Sequence, residues 1–91
     1  MADNYDVSAK RVTATGALSI GRARVRMLVA TLSGAGRITL TSGSGGATKI
    51  DLDYGAAGTY DITLPGTGTL FDDDPFLATA TNVSAVTVFW S

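Results

Sequence analysis

The chain has 91 residues, a net charge of −1, and neither Cys nor His. That length suits one domain near the lower limit at which a single core suffices, since such chains bury roughly 60–65% of their unfolded surface. The missing residue types remove disulfides, thiolate metal sites and His-based acid–base chemistry, and no cofactor is expected. Charge is split along the chain: through Arg37 six basic residues stand against Asp3 and Asp6, whereas from Ile38 onward Lys49 alone stands against six Asp. Complementary halves suit cross-strand pairing or contact between copies and do not describe a generally basic nucleic-acid binder.

In chain order, residues 1–10 read as a flexible polar arm whose only sizeable apolar groups are Tyr5 and Val7. The arm carries no secretory signal, and no apolar run is long enough to cross a bilayer, so the expectation is a soluble protein made in a cytoplasm. Residues 12–16 form a short β-prone run, followed by a second strand or turn over 17–21. Residues 22–32 and 37–41 read as strands joined by a four-residue hairpin loop, Ser33-Gly34-Ala35-Gly36. After the Gly-rich connection 42–47, residues 48–54 alternate with Ile50, Leu52 and Tyr54 inward and Lys49, Asp51 and Asp53 outward. Residues 59–64 bury Tyr60, Ile62 and Leu64 on the same logic, and Pro65-Gly66 ends them. Short strands follow at 69–71 and 76–81, separated by Asp72-Asp73-Asp74-Pro75. Asn82-Val83-Ser84 then turns the chain into 85–90, with Val86, Val88 and Trp90 on one face and Ala85, Thr87 and Phe89 on the other. About eight short antiparallel strands with Gly-rich turns predict an all-β protein, a single β-sandwich over residues 11–91, jelly-roll or immunoglobulin-like.

The most informative stretch is 22–32. Strict alternation places Arg22, Arg24, Arg26, Leu28, Ala30 and Leu32 on one face and Ala23, Val25, Met27, Val29 and Thr31 on the other. Its second half is apolar on both sides and needs two covers, the domain's own core and something else. With the aromatic bulk of Phe89 and Trp90, this marks Arg22, Arg24, Arg26, Leu28, Leu32, Phe89 and Trp90 as the expected interface. A helix is the alternative, because Val25, Leu28, Val29 and Leu32 also fit helical spacing. The flanking glycines and the absence of Glu favour a strand.

Catalytic and ligand signals are sparse. The loop 43–49 lacks the Gly-Lys-Ser/Thr ending of a phosphate cradle and leads into a strand. Asp72, Asp73 and Asp74 carry the right oxygens for a hard cation, but no recognised loop pattern accompanies them and an acidic turn is preferred. Asp51 and Asp53 are expected to face Arg side chains across the sheet, with Arg24 and Asp51 the pair to test. The Arg series matches a phosphate repeat but has no interleaved aromatic side chains, so nucleic acid is disfavoured. Asn82-Val83-Ser84 is read as a turn rather than a glycosylation site. With no base to activate them the Ser and Thr residues are inert nucleophiles, and the protein is read as a non-enzyme.

One resemblance adds to this reading. The run Lys49-Ile50-Asp51-Leu52-Asp53-Tyr54-Gly55, the turn Leu64-Pro65-Gly66 leading to Leu70-Phe71, and the tail from Thr81-Asn82-Val83 to Trp90 together resemble small proteins of tailed bacteriophages, particularly marine and cyanobacterial ones. The resemblance covers most of residues 12–91 and implies a virion component present in many copies, a capsid decoration (cement) protein or a fibre-like accessory. It implies self-association, with a trimer the expected form, and contact with the major capsid protein or another virion protein, in a chain made in the bacterial host cytoplasm. The alternative is a carbohydrate- or host-surface-binding module with Tyr54, Tyr60 or Trp90 as an aromatic platform.

Overall fold

The computed structural model describes residues 7–66 and 68–91; most of the expected arm, residues 1–6, lies outside them. The described chain is all-β, 70% strand with no helix, which removes the helical alternative for residues 22–32. One antiparallel sheet contains β1 (Ser8–Val12), β2 (Gly16–Ala17), β3 (Ala23–Ser42), β4 (Thr48–Tyr54), β5 (Gly58–Thr63), β6 (Thr69–Phe71) and β7 (Pro75–Trp90). β1 begins at Ser8, so residues 8–10, assigned to the arm from sequence, are part of the sheet.

Two long strands organise the sheet. β3 pairs with β7 on both sides of residues 33–36, from Val25 opposite Trp90 to Ser42 opposite Pro75. On its other edge β3 takes β6, β5 and β4 in succession, while β7 takes β1 and β2. The hairpin expected at residues 33–36 is therefore absent: β3 runs straight through it. The turn expected at 82–84 is absent too, because β7 runs through Asn82, whose φ is +54°. Neither Gly34 nor Gly36 has the positive φ that tight hairpin turns demand. Their spacing of two puts both on one side of a strand, and at Gly36 the reason is contact, since a Cβ there would run into the Thr81 carbonyl oxygen.

What replaces the hairpin is a bend. A straight strand of 20 residues would measure about 66 Å, whereas the longest dimension of the molecule is 42 Å. The bends of β3 and β7 coincide, with Asn82 Nδ2 donating to the Ala35 carbonyl (2.7 Å) and Ser33 Oγ to the Asn82 carbonyl (3.3 Å). β4 and β5 keep one register along β3 across the bend, with Gly36 opposite Tyr54 and Leu32 opposite Gly58.

The ends of β3 are brought together by the acidic link. Phe71 lies opposite Ala23 at one end and Pro75 opposite Ser42 at the other, yet three residues join them, a reach of at most about 14 Å. The one sheet is thus bent, and its portions on either side of residues 33–36 and 82 form two leaves. The first holds β1, β5, β6 and the 23–32 and 85–90 portions of the long strands; the second holds β2, β4 and the 37–42 and 75–81 portions. Their inner sides share one core: Val25, Leu28, Ala30, Leu32, Phe71, Val86 and Val88 from the first leaf meet Ile38, Leu40, Ile50 and Leu77 from the second, with Leu18 between.

The facing of residues 22–32 is corrected by a β-bulge between Val25 and Met27. The extra residue, Arg26, shifts the phase, so Ala23 and Val25 share the buried side with Leu28, Ala30 and Leu32. Arg24, Met27, Val29 and Thr31 share the outer side. A period-two reading carried through a bulge inverts every assignment on one side of it.

Candidate interaction surface

The bulge rearranges the expected interface. Leu28 is 0% and Leu32 3% exposed in a single chain, so both belong to the core and neither is available to a neighbour. The three arginines do not form one ladder. Arg22 precedes β3 and its Nε lies 4.0 Å from Asp72; Arg24 is exposed on the outer side, its backbone bonded both ways to Ser91; Arg26 donates from Nε to Ser91 Oγ at 2.6 Å. Phe89 and Trp90 are both half-buried. Trp90 points with Val86 and Val88 toward the core side, while Phe89 points outward.

The outer side of the first leaf is built in rows across β1, β7, β3 and β5. Ala9, Phe89, Met27 and Thr63 make one row, and Arg11, Thr87, Val29 and Asp61 the next. Ala85, Thr31 and Thr59 continue it, the two threonine hydroxyls 3.4 Å apart. Val7, 46% exposed, flanks the first row and is the one large apolar side chain classed as exposed among the described residues. Met27, Val29 and Phe89 are each half-buried, their flanks covered by strand neighbours, and among the described residues none is placed over them by the strand pairing. The sequence signal was the double-sided apolarity of 22–32; the uncovered side is that of Met27 and Val29, not that of Leu28 and Leu32.

On the second leaf the outer side is polar where β3 meets β4. Arg37 binds Asp51 through two hydrogen bonds, Nε to Oδ1 at 2.8 Å and Nη2 to Oδ2 at 2.6 Å, and Thr39 Oγ1 adds a third at 3.2 Å. Asp53 lies 3.7 Å from Arg37 Nε. The hydrogen bonds from Arg37 hold the Asp51 carboxyl below its ordinary pKa, and the same bonds with the Asp51 charge raise that of Arg37. The expectation that Asp51 and Asp53 meet an arginine across the sheet thus holds, but the arginine is Arg37 rather than Arg24.

The Asp triplet is a clasp between the leaves. Asp74 accepts backbone N–H bonds from Ser19 (2.9 Å), Ile20 (2.7 Å) and Gly21 (2.9 Å). Ser19 at φ +61° and Gly21 at +73° shape the chain so that three successive donors converge. Burial alone would push the Asp74 carboxyl up; the three donors, aided by the Lys10 charge, outweigh it and hold the pKa low. Asp73 N–H donates to Ser42 Oγ (3.0 Å), and Gly43 N–H to the Asp74 carbonyl (2.9 Å). Among the described residues no group of three or more metal-binding side chains converges, and no pocket opens.

Tyr54 and Tyr60 stack on each other, ring centroids 4.3 Å apart and 25° from parallel, and both pack against the core. Tyr60 donates to the Ala56 carbonyl at 2.8 Å. Among the described residues the Tyr54 hydroxyl is buried with no partner, and burial, with the neighbouring Tyr60, raises its pKa. The stack occupies one face of each of the two rings.

No protein-family model, curated protein or solved structure matches this chain.

Proposed function

We propose that the chain is a non-enzymatic structural subunit of a tailed-phage particle, a capsid decoration protein that self-associates and binds the major capsid protein. The observation that carries this reading is the outward sheet face of Phe89, Met27 and Val29, apolar at its centre and charged at its edges, the composition of a protein–protein contact. The sequence resemblance to phage virion proteins supplies the context. On a lattice, many weak copies of such a contact add through multivalency. We read the two leaves as a β-sandwich of the jelly-roll kind, because the same long strands turn the corner from one leaf to the other at a bend.

The test is to purify particles of the phage that encodes the chain, quantify it by mass spectrometry, and measure cosedimentation of the purified chain with heads lacking it. Near-stoichiometric copies and saturable binding support the reading. A chain absent from particles and unable to bind heads overturns it. For the fibre-module alternative, glycan binding lost on Trp90→Ala with assembly intact would be the deciding result.

A further inference from the structure

We infer that the outer face of the first leaf is the contact by which two copies of this chain pair, sheet against sheet, about a two-fold axis lying between β3 and β7 along the strand direction. The inference deepens the proposed self-association by naming the surface and the symmetry, a two-fold pair rather than the trimer expected from sequence.

The argument is one of self-complementarity. In the row Arg11, Thr87, Val29, Asp61 a positive charge stands at one edge and a negative charge at the other. Both are exposed, and among the described residues neither makes an ion pair. Three strand spacings, about 14 Å, separate them, too far to meet within one chain. A two-fold axis parallel to the strands exchanges left for right while preserving position along them. Arg11 of each copy then lies over Asp61 of the other, and Val29 over Thr87. In the neighbouring row the same operation sets Phe89 over Met27, an aromatic–thioether contact, and Ala9 over Thr63, two small residues at the margin.

The alternative two-fold axis, running across the strands, would set Arg11 over Arg11 and Asp61 over Asp61, so charge selects the first geometry. Sheets packed face to face sit about 10 Å apart, a gap that Arg and Asp side chains span together. A stable contact needs about 800 Å² from each partner, about a sixth of the 4901 Å² surface of the chain. The outer face of the second leaf is unsuited, because its cation and carboxylates already satisfy one another.

The test is sedimentation equilibrium on the full chain and on Arg11→Asp, Asp61→Arg and the double variant, with circular dichroism to establish that each retains its fold. Both sites are exposed strand positions, and folding should tolerate the changes. The inference requires a dimer at tens of micromolar whose dissociation constant rises about tenfold or more in each single variant and returns to within about threefold of the parent in the double variant. It also requires weakening by salt. A monomer, a trimer, or a double variant no tighter than the singles would overturn it. Head binding is read separately: a chain that binds heads yet fails this cycle loses the two-fold pair and keeps the capsid role, whereas a dimer that binds no heads does the reverse.

Discussion

The same two strands, β3 and β7, present outer surfaces of opposite character on either side of their bend. Beyond it, Arg37, Thr39, Asp51 and Asp53 satisfy one another with three hydrogen bonds and a close ion pair. Before it, Met27, Val29 and Phe89 stand in the equivalent outward positions, with Arg11 and Asp61 apart at the edges. Backbone geometry is shared, and so is the apolar inner side. The difference lies entirely in which side chains occupy the outward half of the alternation. On the second leaf the outward charges satisfy one another; on the first the outward centre is apolar.

If the inner sides are equivalent and only the outer sides differ, truncation inside should cost the same on either leaf. Leu28→Ala and Leu40→Ala, both 0% exposed, should each lose roughly 2–5 kcal/mol in urea unfolding. A loss several-fold larger on one leaf would show that the leaves do not fold as one unit.

The corner comes next. Gly36→Ala must push against the Thr81 backbone and should cost about 1–3 kcal/mol, whereas Gly34→Ala, whose Cβ would meet only Asn82 Nδ2 at 3.7 Å, should change stability by less than about 0.5 kcal/mol. Equal effects would mean that the strands do not bend at residues 33–36.

The clasp gives a pH signature. The Asp74 pKa is depressed in the folded chain, so the unfolded state, with its carboxyl near 3.9, binds the proton first as pH falls. The stabilisation is complete above the unfolded value and is lost as pH falls through the folded one, beginning at about pH 5. Asp74→Asn should flatten the acid limb of a stability–pH curve, and Asp74→Ala should cost about 1–2 kcal/mol at pH 7, discounted for its partial exposure. A variant as acid-sensitive as the parent would move the effect to other carboxylates.

Smaller effects separate the outer faces. Val29→Lys should abolish association while costing the isolated chain less than about 1 kcal/mol, and Thr39→Lys on the second leaf should leave the sedimentation profile unchanged. Matched behaviour of the two would erase the contrast. The smallest change expected is a gain: Tyr54→Phe removes a buried hydroxyl that has no partner among the described residues and should leave stability equal or up to about 1 kcal/mol higher in thermal unfolding.

Period-two alternation read from the sequence places Ile50, Leu52, Tyr54, Tyr60, Ile62 and Leu64 on the core side, where they lie in the structure. It also marks residues 22–32 as apolar on both sides, with Leu28 and Leu32 buried and Met27 and Val29 half-buried. It fails at Arg26, because a bulge depends on what the partner strand offers opposite it; Trp90 and Phe89 face Val25 and Met27, and that information lies more than sixty residues away. The Asp triplet was legible as a turn but not as a clasp, since its three donors come from residues 19–21.

Local chemistry in the sequence therefore determined that the chain would be β-rich, which residues would be greasy on alternate sides, that Asp51 and Asp53 would sit on outward strand positions, and that Asp72, Asp73 and Asp74 would form a turn. Only the tertiary structure decided that Ser33-Gly34-Ala35-Gly36 bends a strand instead of reversing it. Small, unbranched residues permit either outcome, and the choice falls to the long-range ladder between β3 and β7, which a reversal at residue 33 would break.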